Sequence, residues 1–150
     1  MAAQTNLQSI AGGALRIVAG AMFACHGAQK ILGFLATKPQ PPVGSQMWFG
    51  GLIELVGGIL IAIGLLTRPI ALLASGTMAV AYIQFHWKLA LDNWKFLPIV
   101  NGGELAALYC FVFLVFGVMG AGALSIDGVI KGSGPRGFQP VAMNPPSPRR

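Results

Sequence analysis

The stretch Trp48-Phe-Gly-Gly-Leu-Ile-Glu-Leu-Val-Gly-Gly-Ile-Leu-Ile61 is apolar apart from one carboxylate, Glu54. A second carboxylate, Glu104, lies in the stretch Asn101-Gly-Gly-Glu-Leu-Ala-Ala-Leu-Tyr109. An ionisable side chain near the centre of a membrane-spanning helix costs about 2.5–3.5 kcal/mol. Such groups must therefore be paired inside a bundle. The two stretches predict a helical membrane fold and indicate where its chemistry would be.

The composition is that of a membrane protein. Of the 150 residues, 55% are hydrophobic and only 9% are charged, and the mean hydropathy is +0.69. A soluble domain usually has about a quarter of its residues charged. We therefore predict an all-α integral membrane protein, a four-transmembrane-helix bundle with short loops. Residues 1–130 would form this domain and residues 131–150 a flexible Pro/Gly-rich tail. Crossing the hydrocarbon core takes roughly 20 residues, and the predicted spans are Gln8–Leu35, Gln46–Leu66, Pro69–Leu89 and Ile99–Ala123.

The basic residues bear on topology rather than on nucleic-acid binding. The net charge is +6, but the ten Lys and Arg are scattered with no basic stripe, which excludes a nucleic-acid partner. We expect no cleavable signal, because the first residues carry no positive charge before the apolar segment. The positive-inside rule then favours both termini in the cytoplasm. One side of the bundle would carry Arg68, Lys131, Arg136, Arg149 and Arg150, and the other Lys30, Lys38, Lys88 and Lys95.

Glycine spacing predicts which helix faces pack closely. Glycines recur every seven residues in the first two predicted helices, and such rows let membrane helices approach each other. Glu54 lies on the same face as the row in its helix. On the first helix, 100° per residue places four further side chains beside the glycine row within an arc of about 80°. The rows are Gly13, Gly20, Gly27 and Gly50, Gly57, Gly64, and the four side chains are Arg16, Phe23, His26 and Lys30.

Depth along the helices predicts one polar pocket in the outer half of the bundle. If helices 1 and 3 run outward and helices 2 and 4 run back, two Glu and two His reach the same level. Arg16 lies deeper, where it would either pair with Glu54 or meet lipid headgroups. Cys25 and Cys110 have no metal-type spacing, and we interpret both as packing residues. The residues predicted to share the pocket are His26, Glu54, His86 and Glu104.

Several chemistries fit this pocket. The groups could relay protons, ligate zinc or iron, place a haem between His26 and His86, or hydrogen-bond the head of a quinone. They could equally satisfy one another and lock the bundle. No spacing such as His-x-x-x-His is present, so we predict no metal ligands.

The chain resembles the DoxX family over about residues 10–130. The resemblance rests on five pieces in the family's order, of which the second helix with its terminal Thr67-Arg68 is the most specific. Ala121 stands where the family commonly has proline. The pieces are Arg16-Ile-Val-Ala-Gly20, His26-Gly-Ala-Gln-Lys30, Gly50–Arg68, Asn101-Gly-Gly-Glu104 and Gly120–Asp127.

The resemblance implies a four-helix, multi-pass protein of the bacterial inner membrane with cytoplasmic termini. Similar proteins accompany a terminal quinol oxidase, act in thiosulfate:quinone oxidoreduction, or assemble with superoxide dismutase and a sulfurtransferase. Our first hypothesis is therefore an accessory subunit of a respiratory or redox complex, with quinone as the candidate cofactor. If the chain is an enzyme, it would be a quinone-linked oxidoreductase subunit. The resemblance implies Arg16, His26, Lys30, Glu54 and Glu104 as functional residues.

We assign the catalytic roles to Glu54, Glu104 and His26. The substrate-binding roles go to Arg16, Lys30 and His86, of which His86 is placed by depth alone. One alternative is a non-catalytic anchor or assembly factor whose polar cluster is structural. The other is a small-solute or proton pathway formed by a homo-oligomer. The expected partners are membrane lipids and the proteins of a redox complex.

Overall fold

The structure, a computed structural model, describes residues 2–130, with side chains described from residue 7 onward. The predicted tail, residues 131–150, lies outside the described residues. The described chain is all-helical. Three long helices come first: α1 (Ala2–Ile31), α2 (Gln46–Ile63) and α3 (Thr67–Trp87). They are followed by the short α4 (Pro98–Asn101), by α5 (Glu104–Met119) and by the short α6 (Ile126–Ile130).

Within residues 2–130, three helices are long and apolar enough to cross a membrane. They are residues Leu7–Ile31 of α1, the whole of α2 and the whole of α3. These confirm three of the predicted spans. At a rise of about 1.5 Å per residue, the 16 residues of α5 extend only about 24 Å, less than the roughly 30 Å of a hydrocarbon core. The fourth apolar helix is thus present but shorter than predicted.

Glycines at both ends explain the length of α5. The predicted span Ile99–Ala123 is interrupted at Gly102, where φ is +69°, and the Asn101 side chain accepts a hydrogen bond from the Gly103 N–H. The helix ends at Gly120, where φ is +90°. These backbone conformations are outside the helical region and favour glycine. Hydropathy alone does not reveal such breaks, and the predicted span Ile99–Ala123 therefore includes both glycines.

Backbone contact between α1 and α2 depends on glycine. A Cβ atom placed on Gly20 would lie 2.6 Å from the Ala62 nitrogen and 2.8 Å from the Gly58 oxygen. Gly27 likewise faces the backbone of α2 at Gly51 and Leu55. The predicted row on α1 is therefore confirmed as a packing face at these two positions. The two backbones approach as closely as small residues permit.

On α2, two glycine rows serve two neighbours. Gly51 and Gly58 face α1, whereas a Cβ on Gly57 would lie 3.4 Å from Cγ2 of Ile70 in α3. Gly57, in the predicted row of Gly50, Gly57 and Gly64, therefore packs against α3, whereas the adjacent row, one residue on, contacts α1.

The apolar core lies where α1, α3 and α5 meet, and Ile61 of α2 is also buried in it. Ser75 of α3 donates a hydrogen bond to the Cys110 carbonyl of α5 at 2.8 Å. Cys110 is partly buried, as a packing residue should be, but Cys25 is exposed, so the packing interpretation is wrong for Cys25. The main buried side chains are Ala19, Phe23, Ala71, Ala74, Met78, Tyr109, Phe113 and Phe116.

The link between α3 and α4 carries an exposed ion pair. Lys95 Nζ lies 2.6 Å from Asp92 Oδ2. The hydrogen bond from Lys95 holds the pKa of Asp92 below its ordinary value. Both side chains face solvent, so the pair contributes little to stability.

Candidate functional site

A cavity of about 1060 Å³ lies between the long helices at the end of the bundle that contains Lys30. Its walls are largely apolar and come from α1, α2, α3 and α5. A few polar groups converge on it, as is typical of sites that bind organic ligands. The lining includes Phe23, His26, Lys30, Gly50, Ile53, Glu54, Leu73, Gly76, Met78, Val80, His86, Ala106 and Tyr109.

An ion pair joins α1 to α2 at this cavity. Lys30 Nζ lies 2.5 Å from Oε1 and 2.6 Å from Oε2 of Glu54. The Glu54 side chain is only 5% exposed, while that of Lys30 is 34% exposed. A Cβ on Gly51 would lie 2.9 Å from the Lys30 Cβ. Glycine at this position therefore leaves room for the lysine side chain to pass over α2. The pair neutralises the buried carboxylate that the sequence placed in an apolar helix.

Glu54 of α2 and His86 of α3, which both line the cavity, occur in π-helical turns. Residues Ile53–Gly57 of α2 and Tyr82–Trp87 of α3 have this wider helical winding. Glu54 lies in the first turn and His86 in the second. π-helical turns often occur at functional sites, because the wider winding shifts side chains from their α-helical positions. This feature was not predicted from the sequence.

Aromatic side chains form one wall beside the ion pair. The Phe23 and Phe113 rings meet edge to face with centroids 4.7 Å apart, and Tyr109 stacks on Phe113 at 5.4 Å. The His26 ring stands edge-on to Tyr109 at 6.3 Å. The Tyr109 hydroxyl is buried and has no hydrogen-bond partner among the described residues. Sequence reasoning missed Tyr109, although a tyrosine in an otherwise apolar helix is a signal that could have found it.

His86 lines the cavity from α3, as depth predicted. Its Nδ1 lies 3.4 Å from the Asn101 carbonyl oxygen, and its ring stacks on Tyr82 with centroids 6.4 Å apart. Asn101 in turn donates to the Tyr82 hydroxyl at 3.1 Å and to the Lys95 carbonyl at 2.8 Å. His86 is thus held by the segment that leads into α5.

Glu104 does not share the cavity. It is exposed at the first residue of α5 and is not among the lining residues. The prediction that it faces the same pocket as Glu54 is therefore wrong. The reason is the late start of α5 after the Gly102–Gly103 break, which places Glu104 at a helix N-terminus. There a carboxylate is favoured by the helix dipole and can remain at the surface.

Arg16 lies far from the cavity and is fully buried. The 14 residues between Arg16 and Lys30 correspond to about 21 Å along α1. In this structure Arg16 therefore neither pairs with Glu54 nor contacts lipid headgroups. Both alternatives predicted from the sequence are wrong. Its guanidinium instead donates to five backbone carbonyls. The acceptors are Ile61 (2.6 Å), Ala62 (2.5 Å), Ala121 (2.8 Å), Ala123 (3.3 Å) and Leu124 (2.7 Å).

Asp127 completes a second polar cluster at this end. Its carboxylate accepts the N–H of Leu66 and of Thr67, each at 2.9 Å, at the start of α3. Its own N–H donates to the Gly64 carbonyl at 2.8 Å. Arg16 and Asp127 therefore tie the end of α2, the start of α3 and the exit from α5 to one another. We call these contacts the Arg16–Asp127 lock.

No group of three or more His, Cys, Asp or Glu that could hold a metal ion is found within residues 2–130. The cavity offers instead one ion pair, two imidazoles and a phenol around an apolar space. This set can hydrogen-bond a small polar head and exchange a proton with it.

The fold and this cavity define a helical membrane protein with an apolar ligand-sized space that is polar at one end. The family model of DoxX matches residues 13–87, which include α2, α3 and most of α1. The chain belongs to the DoxX family. A relative from Haemophilus influenzae, described as an uncharacterized protein, is 46% identical over 116 residues, covering 75% of this chain and 85% of the relative. No solved structure matches.

Proposed function

We propose that this protein is an accessory subunit of a membrane redox complex and holds the head of a quinone or quinol in the cavity. The observation that supports this most directly is the buried Glu54 carboxylate, paired with Lys30 at the polar end of a largely apolar space. A quinone has a flat apolar ring with polar oxygens. Those two properties match the walls and the polar end of the cavity.

The residues have separate roles in this proposal. Oxidation of a quinol releases electrons, which pass to a redox-active partner subunit, and protons, which the site must accept. Glu54 accepts a proton from the quinol hydroxyl, and the Lys30 ammonium holds the carboxylate in position. His26 and His86 are the hydrogen-bond partners of the head oxygens. The aromatic wall at Phe23 and Tyr109 contacts the ring.

Arg16 and Glu104 receive different roles from those assigned on the sequence. Every N–H-bearing nitrogen of the Arg16 guanidinium is used on backbone carbonyls, so we assign it to the Arg16–Asp127 lock rather than to the substrate. Glu104 is exposed outside the cavity. It therefore takes no part in binding a ligand in this space.

One observation favours a second candidate function, a membrane anchor or assembly factor. Lys30 binds both oxygens of Glu54, so the pair is satisfied without a ligand and links α1 to α2. In that case the pair would serve the fold, and the partner proteins would bind elsewhere on the surface.

Changing Glu54→Gln distinguishes the two functions. We expect oxidation of decylubiquinol by the native complex, purified through a tag on this chain, to fall by about 10²-fold, because the proton acceptor is lost. The complex should stay assembled, since glutamine keeps the shape of the side chain. Turnover is measured spectrophotometrically, and assembly is measured by intact-complex mass spectrometry on the same preparation.

Glu104→Gln is the matched control. It removes the same charge from an exposed position outside the cavity, so turnover and assembly should both be unchanged. The anchor function predicts the opposite pattern for Glu54→Gln: partners dissociate, while each assembled complex keeps normal turnover. A native complex without redox subunits and without quinol oxidation would contradict the proposed function itself.

A further inference from the structure

Helices α2 and α3 are held together at two levels along their shared length. Near the turn that joins them, Gly57 lies against Ile70, where a Cβ would be 3.4 Å from Cγ2. At the other end, Gln46 Nε2 donates a hydrogen bond to Gln84 Oε1 at 2.6 Å. Eleven residues of α2 separate Gln46 from Gly57, which corresponds to about 16 Å along the helix.

Between these two contacts the helices leave open space. A Cβ on Gly50 of α2 or on Gly76 of α3 would meet no heavy atom within 4 Å. Both glycines line the cavity. In an antiparallel pair held at the two contacts, Gly50 and Gly76 lie on opposite walls of the intervening stretch. We call this opening the lateral gap, and its lining consists of Gly50, Ile53, Leu73, Gly76 and Val80.

The rim of the lateral gap faces outward from the bundle. Leu73 is 51% exposed and Val80 is 45% exposed, although both also line the cavity. Leu73 and Val80 belong to α3, and Gly50 on the opposite wall belongs to α2. Both helices are long and apolar enough to span a membrane. An opening at this place connects the hydrocarbon region of the bilayer with the cavity that holds the buried ion pair.

We infer that the lateral gap is the entrance for a membrane-dissolved amphiphile. The polar head of this ligand reaches the Lys30–Glu54 pair, and its long apolar tail passes between α2 and α3 into the bilayer. This inference rests on the proposed function. It adds that the protein recognises the tail of the ligand as well as its head, and that the ligand enters from the bilayer. It also explains why the gap carries two glycines: any larger side chain would project into the path of the tail.

A protein helix does not fit the lateral gap. Helices in contact pack with axes about 8–10 Å apart, and a helix is itself about 10–12 Å wide. Because α2 and α3 are held together at Gly57–Ile70 and at Gln46–Gln84, a third helix cannot enter between them. A single hydrocarbon chain is narrow enough, and its apolar surface matches Ile53, Leu73 and Val80.

Filling the lateral gap tests this route. Gly50→Leu and Gly76→Leu are made separately in the full chain, reconstituted in nanodiscs of phosphatidylethanolamine and phosphatidylglycerol. We expect affinity for decylubiquinone, which has an alkyl tail, to fall by about tenfold in each variant, because the leucine side chain occupies the space that the tail needs. Affinity for the tailless ring, ubiquinone-0, should be unchanged. Binding is measured by quenching of intrinsic tryptophan fluorescence.

Ala21→Leu is the control, because Ala21 is exposed on α1 and is not among the cavity-lining residues. It should change neither affinity. If both gap variants bind decylubiquinone as wild type does, or lose both probes equally, the lateral entrance is wrong while the quinone site stands. If wild type binds neither probe above empty nanodiscs, the proposed function fails. A change of oligomeric state in the leucine variants, with binding intact, would make the gap a protein interface and overturn the inference.

Discussion

Replacing Arg16 with methionine is expected to lower the free energy of unfolding by about 3–5 kcal/mol, because several carbonyls lose a charged donor and each buried group left unsatisfied costs about 1–3 kcal/mol. The Arg16 side chain is fully buried and donates to five carbonyls from two separate segments, residues 61–62 and 121–124. Methionine keeps much of the volume but donates no hydrogen bond. Carbonyls at the end of α2 and in the exit from α5 then lose their donor. The measurement is thermal unfolding of the purified protein in a mild detergent.

Arg68→Met is the matched control, because Arg68 is exposed at the start of α3. It removes the same charge and should change stability by less than about 0.5 kcal/mol. Arg16→Lys should be intermediate, since an ammonium has fewer donors and lacks the flat fork of a guanidinium. Equal stability of the Arg16→Met and Arg68→Met variants would show that the Arg16–Asp127 lock does not hold the fold.

The same variants separate the lock from the substrate-binding role assigned to Arg16 on the sequence. A substrate-binding arginine would lose ligand affinity with little change in stability. A lock residue loses stability, and the fraction that remains folded keeps its affinity for decylubiquinone. The distance of about 21 Å along α1 between Arg16 and Lys30 favours the second outcome.

The membrane-spanning helices and four of the cavity-lining residues could be predicted from the sequence, because they follow from hydropathy and helical geometry. Apolar length located the three spans, and the 100° step along α1 placed Lys30 and His26 on the face that meets Glu54. Depth alone brought His86 to the same level. The structure brings these four residues together at one cavity. Their roles there remain the proposal made above.

The errors have a common physical origin in local backbone geometry. Gly102 and Gly120 end helices through positive φ values, which an apolar sequence does not reveal. Glu104 was misplaced for that reason. The partners of Arg16 are backbone carbonyls, and no side-chain pattern in a sequence identifies such acceptors. The π-helical turn at Glu54 is a further local change of winding that a fixed helical step does not anticipate.

Changing Gly58→Val is expected to lower the free energy of unfolding by about 3 kcal/mol, at the upper end of the usual cost of overpacking. A Cβ at this position would overlap the Ala24 backbone and lie 2.7 Å from the Gly20 carbonyl oxygen, so α1 and α2 must separate. Rigid backbone atoms cannot move aside as a flexible side chain can. The separation would also pull Lys30 away from Glu54. Thermal unfolding in detergent measures the first effect, and decylubiquinone affinity measures the second.

Gly50→Val, in the same helix, is the matched control for this packing argument. A Cβ on Gly50 meets no heavy atom within 4 Å, so the backbone need not move. Valine should be neutral or stabilising by less than about 1 kcal/mol, because glycine is a poor helix former. If the two valine variants unfold at the same temperature, the packing of α1 on α2 does not depend on glycine at position 58. If only Gly58→Val is destabilised, the glycine row that faces α1 determines how closely the two helices pack.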